Sequence, residues 1–252
     1  MVFSCQDKAA CKQCARDQDS YCPKLVFTYN HRYADGEKAY GGYAEHVRVD
    51  SNYAFKIPET LPSDVAAPLL CAGVTVYTPL KKYIKPEQGQ RVGVVGIGGL
   101  GHLALQYAKA LGATPVAFSY SPGKEKQARE LGAEDFVVMS DEKSVKNAAR
   151  SVDVLLITSD AEGQPWDTYC SFIAVGGTLV LLGVPNDKMS LTPYSLVGGR
   201  LIGGNKDTAD ALKLAADKNV RPVIQKLPMS EVNKGLRMME EGKVRYRVVL
   251  EN

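Results

Sequence analysis

Arg91-Val-Gly-Val-Val-Gly96-Ile-Gly98-Gly99-Leu100-Gly101-His-Leu-Ala-Leu105 is the stretch whose reading decides the fold. Its first half is a short β-branched run, the signature of a strand. Its second half opens an apolar pattern with helical spacing that runs from Leu100 to Leu111 and stops at Gly112. The join, Gly96-x-Gly98-x-x-Gly101, has the G-x-G-x-x-G spacing. By itself that pattern is weak, but here it follows a strand, opens a helix and lies inside a strand–helix–strand unit. Gly96 would allow the tight turn, Gly98 the approach of a pyrophosphate, and Gly101 close packing of helix on strand. Free N–H groups at the helix start would hold the anion. The competing reading is a purely structural glycine-rich turn.

Working outward, the same alternation continues. Val116–Phe118 reads as a second strand, Lys124–Leu131 as a helix closed by Gly132, and Phe136–Met139, Val152–Thr158 and Thr178–Leu182 as further strands. This predicts an α/β fold, a Rossmann-type doubly wound parallel sheet. Towards the start, residues 1–40 are polar and rich in cysteine, and Tyr43–Ile57 alternates as half-buried strands do. At the other end Ser230 reads as the N-cap of a helix reaching Glu241, stopped by Gly242, and Arg245–Leu250 as a terminal strand. The expected division is 1–72, 73–216 for the coenzyme domain, and 217–252 as a return to the first piece.

Composition narrows the function. The 252 residues are 45% apolar and 23% charged, ordinary proportions for a chain with a buried core. A net charge of +3 is no nucleic-acid footprint. The apolar runs Val154–Ile157 and Leu179–Leu182 are four residues long, far short of the about 20 a membrane helix needs. The start shows no secretory pattern, so a cytoplasmic, reducing setting is expected, in which clustered thiols favour metal over disulfides.

The coenzyme is read at the end of the second strand. NAD binders place an acid there for the ribose 2′-OH. Here the residues are Phe118-Ser119-Tyr120-Ser121-Pro-Gly-Lys124, without Asp or Glu. Ser119, Ser121 and Lys124 suit a 2′-phosphate, which points to NADP(H). The same residues also read as an N-capped helix start with a solvated lysine, and both can hold together. Of the six cysteines, Cys5, Cys11, Cys14 and Cys22 fall within eighteen residues, and Cys11-x2-Cys14 presents two thiolates to one tetrahedral zinc. Four thiolates leave no open position, so such a site is structural; the alternative is four unrelated thiols. Cys170 reads as a buried small hydrophobe, and Cys71, judged on its neighbours alone, as core. His31, His46 and His102 have no ligand partner at helical spacing and read as satisfied or surface residues.

Beside these residues the chain resembles the zinc-dependent medium-chain dehydrogenases, in the cinnamyl-alcohol-dehydrogenase-like branch found in fungi. The resemblance rests on Val2-Phe-Ser-Cys5, Cys11-x2-Cys14-x7-Cys22, Gly41-Gly-Tyr-Ala44, Ala66-Ala-Pro-Leu-Leu-Cys71-Ala-Gly-Val-Thr75, the glycine loop through His102, Val175-Gly-Gly-Thr-Leu-Val180 and Val244-Arg-Tyr-Arg247. It implies an incomplete GroES-like catalytic domain beside the coenzyme domain. It implies that Cys71 is a ligand of a catalytic zinc, that Thr75 lies beside the nicotinamide, and that the four early cysteines hold a structural zinc. It also implies reversible NADP(H)-dependent reduction of a small-molecule aldehyde to an alcohol, and a homodimer.

Three departures stand out against the family. Its members carry roughly 90 further residues ahead of Val2, more than a loop holds, so the resemblance implies an N-terminally truncated chain lacking the other catalytic ligands. Cys5 precedes Cys11 by a longer spacing than the family's. The loop Gly203-Gly-Asn-Lys206, after an expected strand at Leu201–Ile202 and before an expected helix Asp207–Asp217, is short. Two further readings follow: a non-catalytic NADPH-binding paralogue, or a zinc-free reductase, which the cysteine lobe argues against. Since Cys71 is one ligand where a catalytic zinc takes three, this chain alone is expected to bind NADPH without zinc-dependent turnover.

A Ser119→Asp variant should repel the 2′-phosphate, raising the Kd for NADPH by about tenfold or more and favouring NADH. A wild-type chain that binds NADH as tightly as NADPH in a fluorescence titration defeats the assignment.

Overall fold

Strands that are buried on both faces are written as continuous apolar runs, and the central strands here are of that kind. The structure is a computed structural model. It describes residues 2–251 apart from 4, 6–8, 17, 34, 48, 50, 52–53, 193–194, 196–209, 211–212, 215–216, 218–221 and 245–246. Residues 1–198 and 199–252 form two compact units. No described helix is long and apolar enough to cross a membrane.

The first unit begins with short elements. β1 (Val2–Phe3) pairs antiparallel with β2 (Val26–Phe27), and β3 (Tyr29–Arg32) pairs antiparallel with β4 (Lys38–Tyr40). One helical turn, α1 (Lys12–Ala15), lies between β1 and β2. Next come α2 (Ser63–Pro68), a single π-helical turn Leu69–Gly73, and α3 (Val74–Tyr83).

The sheet that organises this unit comprises β5 (Arg91–Val95), β6 (Thr114–Ser119), β7 (Asp135–Val138), β8 (Val152–Ile157) and β9 (Ile173–Leu181). Its order is β7-β6-β5-β8-β9 and every pairing is parallel. α4 (Gly101–Ala110), α5 (Glu125–Glu130), α6 (Glu142–Asn147) and α7 (Trp166–Phe172) connect successive strands. Strand order therefore reverses between β5 and β8, where a doubly wound sheet opens its ligand crevice.

The two faces carry separate cores. On one, Val92, Val94, Val154 and Leu156 pack with Val76 and Leu80 of α3 and Ala104, Leu105 and Ala108 of α4. On the other, Val95, Phe118, Leu155 and Ile157 pack with Trp166, Tyr169 and Phe172 of α7. The Phe118 and Phe172 rings lie 4.7 Å apart between centroids. The expected elements of the parallel sheet are present, each within a few residues of its expected bounds.

The tail forms a βαβ unit of its own. β10 (Ile224–Pro228) pairs parallel with β11 (Arg247–Glu251), and α8 (Val232–Glu240) is the crossover. β10 was not read from the sequence. Ser230 is no N-cap: it lies inside a 3-10 turn, Met229–Glu231, and Glu231 occupies the cap position. The helix stops where expected, with Gly242 at φ +65°.

The expected strands over Tyr43–Ile57 are absent among the described residues of that stretch. A strand needs a neighbour for its backbone hydrogen bonds, and no described strand pairs with this segment. Tyr43, Val47 and Phe55 stand exposed, so the alternation there is not a burial pattern. The expected strand Leu201–Ile202, the loop Gly203–Lys206 and most of the expected helix Asp207–Asp217 lie outside the described residues.

Gly101→Ala places a Cβ 2.0 Å from the Gly96 carbonyl oxygen, which belongs to backbone and cannot step aside alone. The variant should lose at least about 2 kcal/mol, seen as a melting temperature lower by roughly 4–8 °C. An unchanged melting temperature disproves the close packing.

Candidate functional site

β5 ends at Val95, and Gly96 turns the chain with φ +88°. Its N–H still donates to the Phe118 carbonyl at 3.0 Å, so the turn starts while the sheet is intact. Gly101 sits against the Gly96 carbonyl with no room for a side chain. Gly98 and Gly99 have nothing within 4 Å of where a side chain would be, so their backbone faces open space. Three glycines thus have the three physical situations the loop motif requires: turn, exposed backbone and close contact. Leu100 precedes α4 and packs partly into the core beneath it. In front of the loop opens a cleft of about 590 Å³, lined by Gly96, Gly98, Lys124, Thr158, Asp160 and Val184 among others.

Lys124 enters this cleft from the β6 side. Its Nζ donates to the Ile97 carbonyl at 2.9 Å, which leaves the ammonium two further N–H donors. Ser119 is buried at the end of β6 and its hydroxyl donates to the Ser121 carbonyl at 3.1 Å. Ser121 Oγ accepts from the Gly123 N–H at 3.2 Å and caps the 3-10 turn leading into α5. The capping role and the placing of Lys124 on the cleft therefore coexist.

Thr158, Ser159, Asp160, Leu182, Gly183 and Val184, which complete the wall, were not singled out in the sequence. They follow the C-terminal ends of β8 and β9, so the rule that ligands sit beyond strand ends at a switch point was the available signal. Gly183 is required there, since its Cβ would lie 2.0 Å from the Ser159 carbonyl oxygen. Beyond Val184 the chain is tied to α7 by Asp167. That carboxylate accepts from Ser195 Oγ (2.7 Å), the Thr192 N–H (2.9 Å) and Thr192 Oγ1 (3.1 Å). The Ser195 hydrogen bond, aided by Thr192, holds Asp167 below the usual carboxylate range.

The second candidate centre is the cysteine lobe. Pairing of β1 with β2 brings Cys5 onto Cys11, Cys14 and Cys22 despite the longer spacing. The four sulfurs lie within 4.8 Å of one another. Sulfur separations are 3.5 Å for Cys5–Cys22, 3.8 Å for Cys5–Cys14 and 3.9 Å for Cys11–Cys22. A tetrahedral zinc with bonds of about 2.3 Å has sulfurs about 3.8 Å apart, so the donor set fits that ion. Backbone N–H groups of Cys5 and Lys24 each lie 3.4 Å from Cys22 Sγ. The Cys5 N–H, helped by the other donors, lowers the Cys22 thiol to about 7, which favours the thiolate a metal takes.

Cys71 occupies the middle of the π-helical turn Leu69–Gly73 and is exposed, so the reading as core is overturned. Single π turns recur at functional sites, a signal that exists only in three dimensions. Thr75 follows in the first turn of α3, half-buried. Among the described residues, the only Cys, His, Asp or Glu group of three or more able to hold a metal is the four-cysteine lobe. Among the described residues, Cys71 belongs to no such group. His102 Nδ1 lies 2.8 Å from the Gly98 carbonyl, His31 Nδ1 accepts from the Phe27 N–H at 3.2 Å, and His46 is exposed. Cys170 is half-buried in α7, and burial pushes its thiol up.

Comparison with known proteins gives a consistent picture. Residues 99–217 match the family described as zinc-binding dehydrogenase. Cinnamyl alcohol dehydrogenase 2 of Arabidopsis thaliana is 40% identical over 260 residues, spanning all of this chain and 68% of its own length. The 8-hydroxygeraniol dehydrogenase of Catharanthus roseus is 38% identical, with 100% of this chain and 71% of its own covered. Among solved structures, a cinnamyl alcohol dehydrogenase of Sorghum bicolor superposes with a TM-score of 0.73 at 36% identity, over 99% of this chain and 72% of that one. The CAD of Helicobacter pylori complexed with NADP(H) gives 0.68 at 32% identity, over 99% and 72%.

The lobe should carry one zinc per chain by metal analysis, and Cys14→Ser should abolish it and expose residues 1–30 to protease. A metal-free preparation in which that segment stays protected counts against the site.

Proposed function

The chain belongs to the zinc-binding dehydrogenase family, and from that premise we propose NADP(H)-dependent alcohol dehydrogenase or aldehyde reductase chemistry of the cinnamyl-alcohol type. The observation that carries the reading is the cleft before the glycine loop, with Lys124 on its wall and Ser119 buried at the adjoining strand end. On this reading the N–H groups of the Gly98–Gly101 turn receive the pyrophosphate, and the N-terminal end of α4 adds its partial positive charge. Lys124 turns its two spare donors to the 2′-phosphate, joined by the Ser121 hydroxyl and, once its proton turns from the Ser121 carbonyl, by Ser119. Gly183 and Val184 wall the far end, where the nicotinamide would lie. Bound there, the coenzyme supplies or takes the hydride at an alcohol–aldehyde carbon. The four cysteines hold a structural zinc and contribute to folding rather than to chemistry.

The donor set around Cys71 favours a second reading, a coenzyme-binding protein without zinc-dependent turnover. A catalytic zinc takes three protein ligands. All six cysteines and all three histidines are described, and four of those cysteines converge elsewhere.

The purified 252-residue chain should bind NADPH saturably on either reading, and NADPH binding without cinnamaldehyde reduction supports the second over the first. Spectrophotometric loss of NADPH with cinnamaldehyde, abolished in Cys71→Ser, supports the first reading and removes the second. Failure to bind NADPH at all removes both.

A further inference from the structure

We infer that Thr158, at the end of β8, is a positioning residue for the coenzyme: its hydroxyl holds the Gly96 carbonyl inward, so that the glycine loop presents N–H groups to the pyrophosphate. The inference rests on the NADP(H) reading and extends it to a residue outside the loop motif.

Thr158 is joined to the end of β5 three times. Its N–H donates to the Val95 carbonyl at 3.0 Å. Its Oγ1 lies 2.9 Å from the same oxygen and 2.6 Å from the Gly96 carbonyl oxygen. One hydroxyl has one proton, and the shorter contact marks the Gly96 carbonyl as its main acceptor. That oxygen also fills the space a side chain on Gly101 would need. It is therefore trapped between the hydroxyl and the first residue of α4.

A trans peptide points its carbonyl and the next N–H in opposite directions. Turning the Gly96 carbonyl towards Thr158 thus turns the Ile97 N–H away from it. The following carbonyls are likewise engaged by donors of the protein. Ile97 O is held by Lys124 Nζ at 2.9 Å, and Gly98 O accepts the His102 N–H at 3.1 Å. Every carbonyl from Val95 to Gly98 is engaged by a donor on the protein. Carbonyl oxygens pointing at a pyrophosphate would repel it, so committing them elsewhere leaves an anion facing N–H groups. Lys124 and the backbone of α4 account for two of these ties; Thr158 alone accounts for the Gly96 tie.

The position also suits a fixed support. Ser159 is packed between the Gly96 turn, where a Cβ would lie 3.1 Å from its own, and Gly183, where its carbonyl leaves no room for a side chain. Gln164 Nε2 donates to the Ser159 carbonyl at 3.2 Å. Thr158 is therefore anchored by its own neighbours and can impose a geometry on the loop.

The test uses the full chain carrying Thr158→Val, which keeps the shape and removes the donor, and Thr158→Ser, which keeps the donor. NADPH affinity is measured by fluorescence titration, 2′-AMP affinity by calorimetry, and folding by thermal unfolding. 2′-AMP has the 2′-phosphate but no pyrophosphate, so it does not read the loop. Thr158→Val should weaken NADPH by about tenfold, the effect of one hydrogen bond, with 2′-AMP unchanged and Thr158→Ser close to wild type. Thr158→Ala gives the same readings if valine prevents folding. If wild type binds NADPH and the donor-free variants bind it equally well, the inference is overturned alone. Equal weakening of NADPH and 2′-AMP also overturns it, as general damage. A wild type that binds no NADPH overturns the coenzyme assignment and the inference together.

Discussion

The contact on which the parallel-sheet half depends is the approach of Gly101 to the Gly96 carbonyl oxygen, at a distance no side chain permits. It brings the start of α4 directly onto the end of β5. From that contact follow the turn at Gly96, the orientation of the helix over the sheet and the open side at Gly98 and Gly99. The rest of the sheet supports it: Val92 and Val94 face α3 and α4, while Val95 faces α7. Two cores of similar make-up hold β5 from both sides, so the loop at its end has a rigid base. A binding loop carried by a rigid scaffold loses little order on binding.

The cysteine lobe solves a different problem. Its strands are two to four residues long, and several of its large side chains, including Tyr29 and Tyr40, stand exposed. So little apolar burial does not hold a fold by itself. Four converging thiols replace the missing core, and Cys11, Cys14 and Cys22 are among the most buried residues of the region. The backbone donors on Cys22 belong to the same arrangement, since a thiolate among sulfurs is stable only where its charge is met.

Legibility followed the range of the interactions. The glycine loop, the strands around it, Ser121 as a cap and the grouping of Cys11, Cys14 and Cys22 are local, and their residues stand close in sequence. Thr158 lies 62 residues from Gly96, and its role exists only because β5 and β8 are neighbours. Gly183 is likewise meaningful only against Ser159. The Tyr43–Ile57 stretch shows the converse error: an alternating pattern reads as a strand, but a strand is a property of two segments, and the second is not among those described.

The sequence by itself determined the periodicities, and through them the parallel sheet, the glycine loop and the presence of hydroxyls and a lysine rather than an acid at the second strand. Those are decided within a few residues, by sterics and by the spacing of apolar side chains. Only the tertiary structure decided that Cys5 joins the cluster despite its longer spacing, that Cys71 is exposed on a π turn, and that Thr158 and Lys124 hold carbonyls of the glycine loop. The ties to Thr158 and Lys124 join atoms 62 and 27 residues apart, which no local pattern encodes, while the cluster and the turn depend on backbone geometry that residue spacing leaves open.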